Sequence, residues 1–330
     1  MGFTIIAATA ALVAIAFPRV AAGVVAQLVL AACGGVLAAR IAKRLRLSRL
    51  LAQVTPNAAG WCALATVSLV ALYALVPVLD PDAVFLRGDW GPQHAVLRSV
   101  VDHLRDLELP NWHHGLATGD APLDVYPSLT YVVAGAFALG TGLDDRLPFV
   151  LLLFASLAHT LVAVNATRLA LRFLPAPLAA AIGVLLVLDH GSISSGGVIG
   201  TIQTGLLHSA VAQVFALAAV VGVVDAIRRP RLRTSIAIWL TTALATAAHP
   251  AGLLASGVTL VALLAVAALA RDVLTRRSVV AGCHVLLGVA LGASVWLPLG
   301  KRLLLYGQHF SDVLPAPAHW LGGVFSSPIP

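Results

Sequence analysis

Apolar runs close to membrane length recur along this chain, parted by short basic clusters, and one stretch, 87–126, breaks the rhythm. The runs lie at about 2–17, 20–39, 61–79, 127–142, 148–167, 176–188, 205–227 and 250–270. A membrane-crossing helix needs roughly 20 apolar residues, so the pattern predicts an all-α polytopic transmembrane bundle of about eight to nine spans. It divides into 1–60, with two N-terminal helices and a basic loop; 61–300, the main membrane module; and 301–330, a terminal segment on the outer face. Run 2–17 has no basic n-region or clear small-residue cleavage site and is followed directly by another apolar run, so it reads as a helix and not a signal peptide.

Arginine and lysine retain loops on the cytoplasmic side, which orients the runs. Arg40, Lys43, Arg44, Arg46 and Arg49 crowd ten residues that hold no acid. That loop is inside, and 61–79 runs outward. Arg228, Arg229, Arg231 and Arg233 mark a second inner loop, and Arg271, Arg276 and Arg277 a third. Segments 80–126 and 189–203, the His249-Pro250 turn and the tail from Lys301 then lie outside. Three apolar runs separate the first two of these segments, so parity requires one run not to span. Arg168 and Arg172 favour the inside and Asp144 and Asp145 the outside, which leaves 127–142, short and glycine-containing, as a broken or re-entrant segment lining a cavity.

Composition agrees with the membrane class. The chain is 59% hydrophobic and 11% charged, with a mean hydropathy of +0.94. Its net charge of +7 resides in the loop clusters, so the basicity reads as topology and no nucleic-acid partner is expected. Cys33, Cys62 and Cys283 stand apart with no paired spacing and read as small core residues. Trp90, Trp112, Trp296 and Trp320 fall near run ends and read as an interfacial aromatic belt. His159, His208 and His284, within apolar runs, read as interhelical hydrogen-bonding groups.

Polarity gathers where the apolar rhythm fails: eight of the fourteen Asp and Glu residues lie between Asp80 and Asp124, and four of the eleven His between His94 and His114. Within this stretch, 92–109 has helical periodicity. Val96, Leu97, Val100, Val101, Leu104 and Leu107 share one face, while His94, Arg98, Asp102 and Arg105 share the other. Pro92 suits a first turn and Pro110 a stop. Such a helix is expected to lie along the outer membrane surface. Asp89 stands just before it with Arg87 and His94 nearby, and has two readings: a helix cap, or a general base or cation ligand whose flanking Arg and His meet phosphate oxygens. His113-His114 supplies one metal ligand at most, because adjacent side chains point apart.

Gly88-Asp89-Trp90 followed by His94, Asn111-Trp112 after Pro110, Gly119-Asp120-Ala121-Pro122, Tyr126-Pro127, Asp189-His190-Gly191 and His249-Pro250 together resemble the GT-C superfamily of membrane glycosyltransferases. Within it, the chain is most similar to bacterial membrane proteins described as related to 6-pyruvoyl-tetrahydropterin synthase. The resemblance covers roughly 60–325. It implies inverting transfer of a sugar from a polyprenyl-phosphate donor to a lipid, glycan or protein acceptor, on the extracytoplasmic face of a bacterial inner membrane. It assigns Asp89 as catalytic and places Arg87, His94, Arg98, Asp120, Tyr126, Asp189, His190 and His249 around the substrate. A divalent cation, Mg or Mn, would sit on Asp89 and Asp189.

Two other classes remain. A transporter usually carries ionisable residues near the membrane midplane, whereas the runs here hold almost none besides histidine. A lipid-binding module, or a catalytically silent or truncated relative, fits the same composition.

Overall fold

A computed structural model describes residues 57–79, 89–107, 128–191, 197–269 and 273–295. The N-terminal runs, the basic cluster 40–49, Arg87, His113-His114, Asp120, Tyr126, Cys33, the other belt tryptophans and the tail lie outside these residues. The described residues are helical, with no strand among them. In order they form α1 (Ala58–Leu75, extended by a 3-10 turn Val76–Val78), α2 (Trp90–Arg105), α3 (Ser128–Thr141), α4 (Leu147–Ala170) and α5 (Ala176–Val187). A π-helical turn (Ile199–Gln203) leads to α6 (Leu207–Arg228), α7 (Leu232–Ala248), α8 (Pro250–Leu269) and α9 (Val273–Ser294). By length and apolarity four segments suffice to cross a membrane: 58–78, 147–170, 207–228 and 276–294. Four shorter apolar helices accompany them. Large side chains such as Leu69, Tyr73 and Leu185 face outward, as expected where the solvent is lipid.

The chain divides into two compact units. In one, the described residues are 257–269 and 273–283, and Gly282 of α9 lies beside Leu260 of α8. The other holds the remaining described residues, including every candidate site position the structure describes. Within it α4 packs against α5 and α6, α6 against α7, and α1 against α4 and α5. His159 of α4 bonds the Val187 carbonyl of α5 at 3.0 Å, the interhelical role its apolar surroundings suggest. Asn57 caps α1 through Gly60 N–H.

Segment 127–142, expected to be broken or re-entrant, is one unbroken helix over 128–141. At 1.5 Å per residue its fourteen residues reach about 21 Å, short of a hydrocarbon core of about 30 Å. Its glycines do not break it, because Gly135 serves packing: a Cβ there would sit 3.1 Å from Val100 and 3.3 Å from Leu104 of α2. The two exposed cysteines, Cys62 and Cys283, carry free thiols on outward helix faces, which corrects their reading as core residues.

Close helix approach decides part of the stability. A Cβ on Gly288 of α9 would lie 2.7 Å from both Thr242 Cβ and the Trp239 carbonyl oxygen of α7, whereas nothing lies within 4 Å of one on Gly140. Small residues let membrane helices approach closely, and overpacking costs about 1–3 kcal/mol. Gly288→Ala is therefore expected to lower the unfolding midpoint in detergent while Gly140→Ala leaves it in place.

Candidate functional site

The apolar face of α2 does not lie against lipid. Val96, Leu97, Val100 and Val101 are almost completely buried against Tyr131, Ala134 and Ala138 of α3 and Leu147, Val150 and Leu151 of α4. Each side chain so enclosed gains about 1.5–3 kcal/mol relative to water, so α2 is a docked helix with its charged face left outward. It starts at Trp90 and ends at Arg105, and Leu107 leaves the expected apolar face, taking a φ of 58° and 95% exposure. The last turn is tied to the α3–α4 loop by an ion pair from Arg105 to Asp144, and Arg105 also pairs within α2 with Asp102. The Arg105 hydrogen bond holds the Asp144 carboxyl below its ordinary pKa.

The first turn of α2 is held by a segment more than a hundred residues later. Asp89 N–H donates to the Thr204 carbonyl at 2.9 Å, Trp90 Nε1 donates to the Ile202 carbonyl at 2.9 Å, and Gln93 Nε2 donates to the Gly205 carbonyl. Trp90 is 2% exposed, which overturns its reading as an interfacial belt residue: it is a buried anchor whose indole N–H is spent on backbone. Gly205 has a φ of 85°, and a Cβ there would stand 3.1 Å from the Trp90 ring, so both its backbone and its missing side chain suit the joint.

The same segment binds the second polar motif. Val198 N–H and Ile199 N–H donate to the carbonyls of Asp189 and His190 at 2.9 Å each, and Asp189 Oδ1 accepts Gly191 N–H at 3.1 Å. Gly191 and Gly197 take positive φ of 61° and 65°. The backbones of Asp89 and Asp189 are thus joined through one π-helical turn, Ile199–Gln203, and both side chains are exposed.

Asp89 occupies the cap position of α2, but its carboxylate makes no capping bond. Its carbonyl starts the helix by accepting Gln93 N–H at 3.1 Å. The charge is presented outward instead of being used on the helix end. Arg98 is half-buried on the polar side of α2. His94 is half-buried too, and its enclosed Nε2 has no hydrogen-bond partner among the described residues. Burial, and after it the Arg98 guanidinium, holds the His94 ring below its ordinary pKa of 6.5, so it meets a ligand as a neutral imidazole. His249 is spent on structure: it ends α7 in extended conformation, and its Nδ1 accepts Ala251 N–H at 3.1 Å, capping the next helix. Among the described residues no three His, Cys, Asp or Glu side chains gather as a metal cluster.

Trp90, Gln93 and Gly205 form the joint; Trp90 was part of the Gly88-Asp89-Trp90 motif, while Gln93 and Gly205 carried no motif signal. Only the tryptophan stood out, as an amphipathic ring at a run end.

Burial, and after it Arg98, disfavours the charged His94 ring in the folded chain. The unfolded chain takes up the proton first as pH falls, so α2 docking is at full strength above about pH 6.5 and weakens below it. Unfolding midpoints measured between pH 7.5 and 5.5 are expected to fall on the acid side, and His94→Gln should flatten that fall.

The chain matches no family model, and no curated protein or solved structure matches it.

Proposed function

We propose that this protein transfers a sugar from a polyprenyl-phosphate donor to an acceptor hydroxyl at the extracytoplasmic surface of a bacterial inner membrane, as the GT-C resemblance implies. The observation that supports this most is the joint at Asp89. A chain of overwhelmingly apolar sequence ties its two polar segments together by backbone hydrogen bonds and leaves the Asp89 carboxylate outward and unused by the helix it precedes. In this reading Asp89 takes the proton of the acceptor hydroxyl, the oxygen attacks the anomeric carbon with inversion, and polyprenyl phosphate leaves. Arg98 and Arg87 offset the phosphate charge, His94 donates a neutral hydrogen bond, and Asp120, Tyr126, Asp189 and His190 border the sugar. His249, whose Nδ1 accepts Ala251 N–H, is the remaining residue that the resemblance places around the substrate. Asp89 and Asp189 are the carboxylates that would hold a magnesium or manganese ion.

The bundle would carry eight to nine spans, with α2 at the outer surface and 128–141 not crossing. Cysteine substitutions test that placement: Ser195→Cys and Ala117→Cys are expected to react with an impermeant thiol reagent in intact cells, while Ser48→Cys and Thr234→Cys stay shielded. The reverse pattern would move the site to the cytoplasm. The activity itself is tested by incubating purified protein in nanodiscs with a radiolabelled sugar on polyprenyl phosphate and a membrane extract as acceptor source. Protein-dependent consumption of the donor with inverted product is expected, and an unchanged donor pool would withdraw the transferase reading.

A further inference from the structure

The C-terminal ends of α4 and α6 and the start of α7 carry six arginines, Arg168, Arg172, Arg228, Arg229, Arg231 and Arg233, and one acid, Asp225. That acid is already engaged, because Arg172 holds both of its carboxylate oxygens, at 2.7 and 2.8 Å. Three of the arginines stand apart from this pair, two in the exposed connection 229–231 and one in the first turn of α7. Arg229, Arg231 and Arg233 enter no ion pair among the described residues. The connection is fixed onto α7 through Arg231 N–H, which donates to Thr234 Oγ1 at 3.1 Å. From Arg233 onward the outward face of α7 is apolar. Arg233, Ile236, Ala237 and Leu240 recur at helical spacing, so they share one face, and all four are exposed.

From this we infer that this end of the bundle binds an anionic phospholipid, its phosphodiester among Arg229, Arg231 and Arg233 and one acyl chain along Ile236, Ala237 and Leu240. Charge complementarity selects the headgroup. A guanidinium fork matches two phosphate oxygens, and a zwitterionic lipid would bring an ammonium of its own to the arginines, whereas phosphatidylglycerol brings only the phosphate. The face below selects a lipid over a soluble anion. Retaining a loop on one side of a membrane requires the charges alone, and a soluble polyanion would leave Ile236 and Leu240 uncovered. From Arg233 to Leu240 the helix rises about 10 Å, within the depth of about 15 Å that one leaflet of hydrocarbon offers. The site goes beyond the transferase reading and does not depend on it.

The test uses the full chain in phosphatidylcholine nanodiscs that contain a little phosphatidylglycerol or phosphatidylethanolamine, each with a photoactivatable diazirine on one acyl chain, and maps the adducts by peptide mass spectrometry. On 236–240 of α7 the glycerol probe is expected to exceed the ethanolamine probe by at least about fivefold, the preference that one arginine gives near an anionic surface. The lipid-facing residues Leu69 of α1 and Leu185 of α5 should take up both probes equally. Arg229→Gln combined with Arg233→Gln should bring the α7 ratio down to theirs, while Arg146→Gln, at the opposite end of α4, should leave it in place. All three side chains are exposed, so the variants are expected to remain monodisperse. Equal ratios on α7 and α5 in the unaltered protein would overturn the site. An α7 ratio that survives the double variant would overturn the arginine contact, and one lost in Arg146→Gln would reduce it to an effect of overall charge. Displacement by glycerol 3-phosphate would assign the arginines to a soluble phosphate instead. None of these readouts needs turnover, so failure of the transferase reading leaves them interpretable.

Discussion

Asp89→Asn is expected to insert and fold normally while its transfer rate falls by about 10²-fold to 10⁴-fold, the range for loss of a general base. What fixes this residue in place is its backbone: the N–H donates to Thr204 and the carbonyl accepts from Gln93, and neither bond involves the carboxylate. The side chain makes no capping bond that the amide would have to replace. Asparagine is in any case as good a cap as aspartate, so a stability change well under about 1 kcal/mol is expected. The amide cannot accept a proton at neutral pH. Initial rates with the lipid-linked donor, set beside unfolding midpoints, separate the roles: an intact midpoint with lost transfer assigns the base, and intact transfer removes it. A parallel loss of both would mean that Asp89 is an anchor of the joint and not a chemical group.

Periodicity carried much of this fold. The apolar positions Val96, Leu97, Val100 and Val101 made α2 legible, and the long runs made α4 and α6 legible to within three residues at each end. What covers the apolar face of α2 was not legible, because a short amphipathic helix presents the same pattern to a membrane surface as to a neighbouring helix. The end at Arg105 was misread for a related reason. Leu107 continues the apolar period, yet its positive φ turns the chain out of the helix before Pro110 can stop it.

Trp90 shows the same limit at a single residue, since an indole with one N–H suits a headgroup boundary and a buried backbone carbonyl equally. The contacts of Trp90 and Gln93 with Ile202 and Gly205 each span 112 residues, so no local pattern announces them. His159 and His208 sit in comparable apolar runs. One bonds the Val187 carbonyl, while the other packs edge-on against Tyr131 with no hydrogen-bond partner for its ring nitrogens among the described residues. The candidate site was therefore legible as two polar segments but not as one place. The joint that unites their backbones depends on the π-helical turn Ile199–Gln203, and nothing in its composition marks it.

At the arginine-rich ends of α4 and α6, Asp225→Ala is expected to be among the most destabilising single changes, at about 3–5 kcal/mol, the usual cost of breaking a buried ion pair from one side. Arg172 Nε and Nη2 meet the two Asp225 carboxylate oxygens at 2.7 and 2.8 Å, a bidentate pair in which the arginine is 7% and the aspartate 18% exposed. Arg228, also 7% exposed, donates to the Arg172 carbonyl at 2.6 Å and lies over the Phe173 ring at 5.2 Å. Removing the carboxylate leaves Arg172 without its counter-charge and near a second guanidinium, whereas Arg172→Ala leaves Asp225 near Arg228. Asp225→Ala should for that reason cost more than Arg172→Ala. The double variant should be less destabilised than the sum of the two, because deleting both partners removes the stranded charge along with the attraction. Unfolding midpoints of the three variants in detergent check the ordering, and strictly additive losses would mean that the pair is held open to water and contributes little.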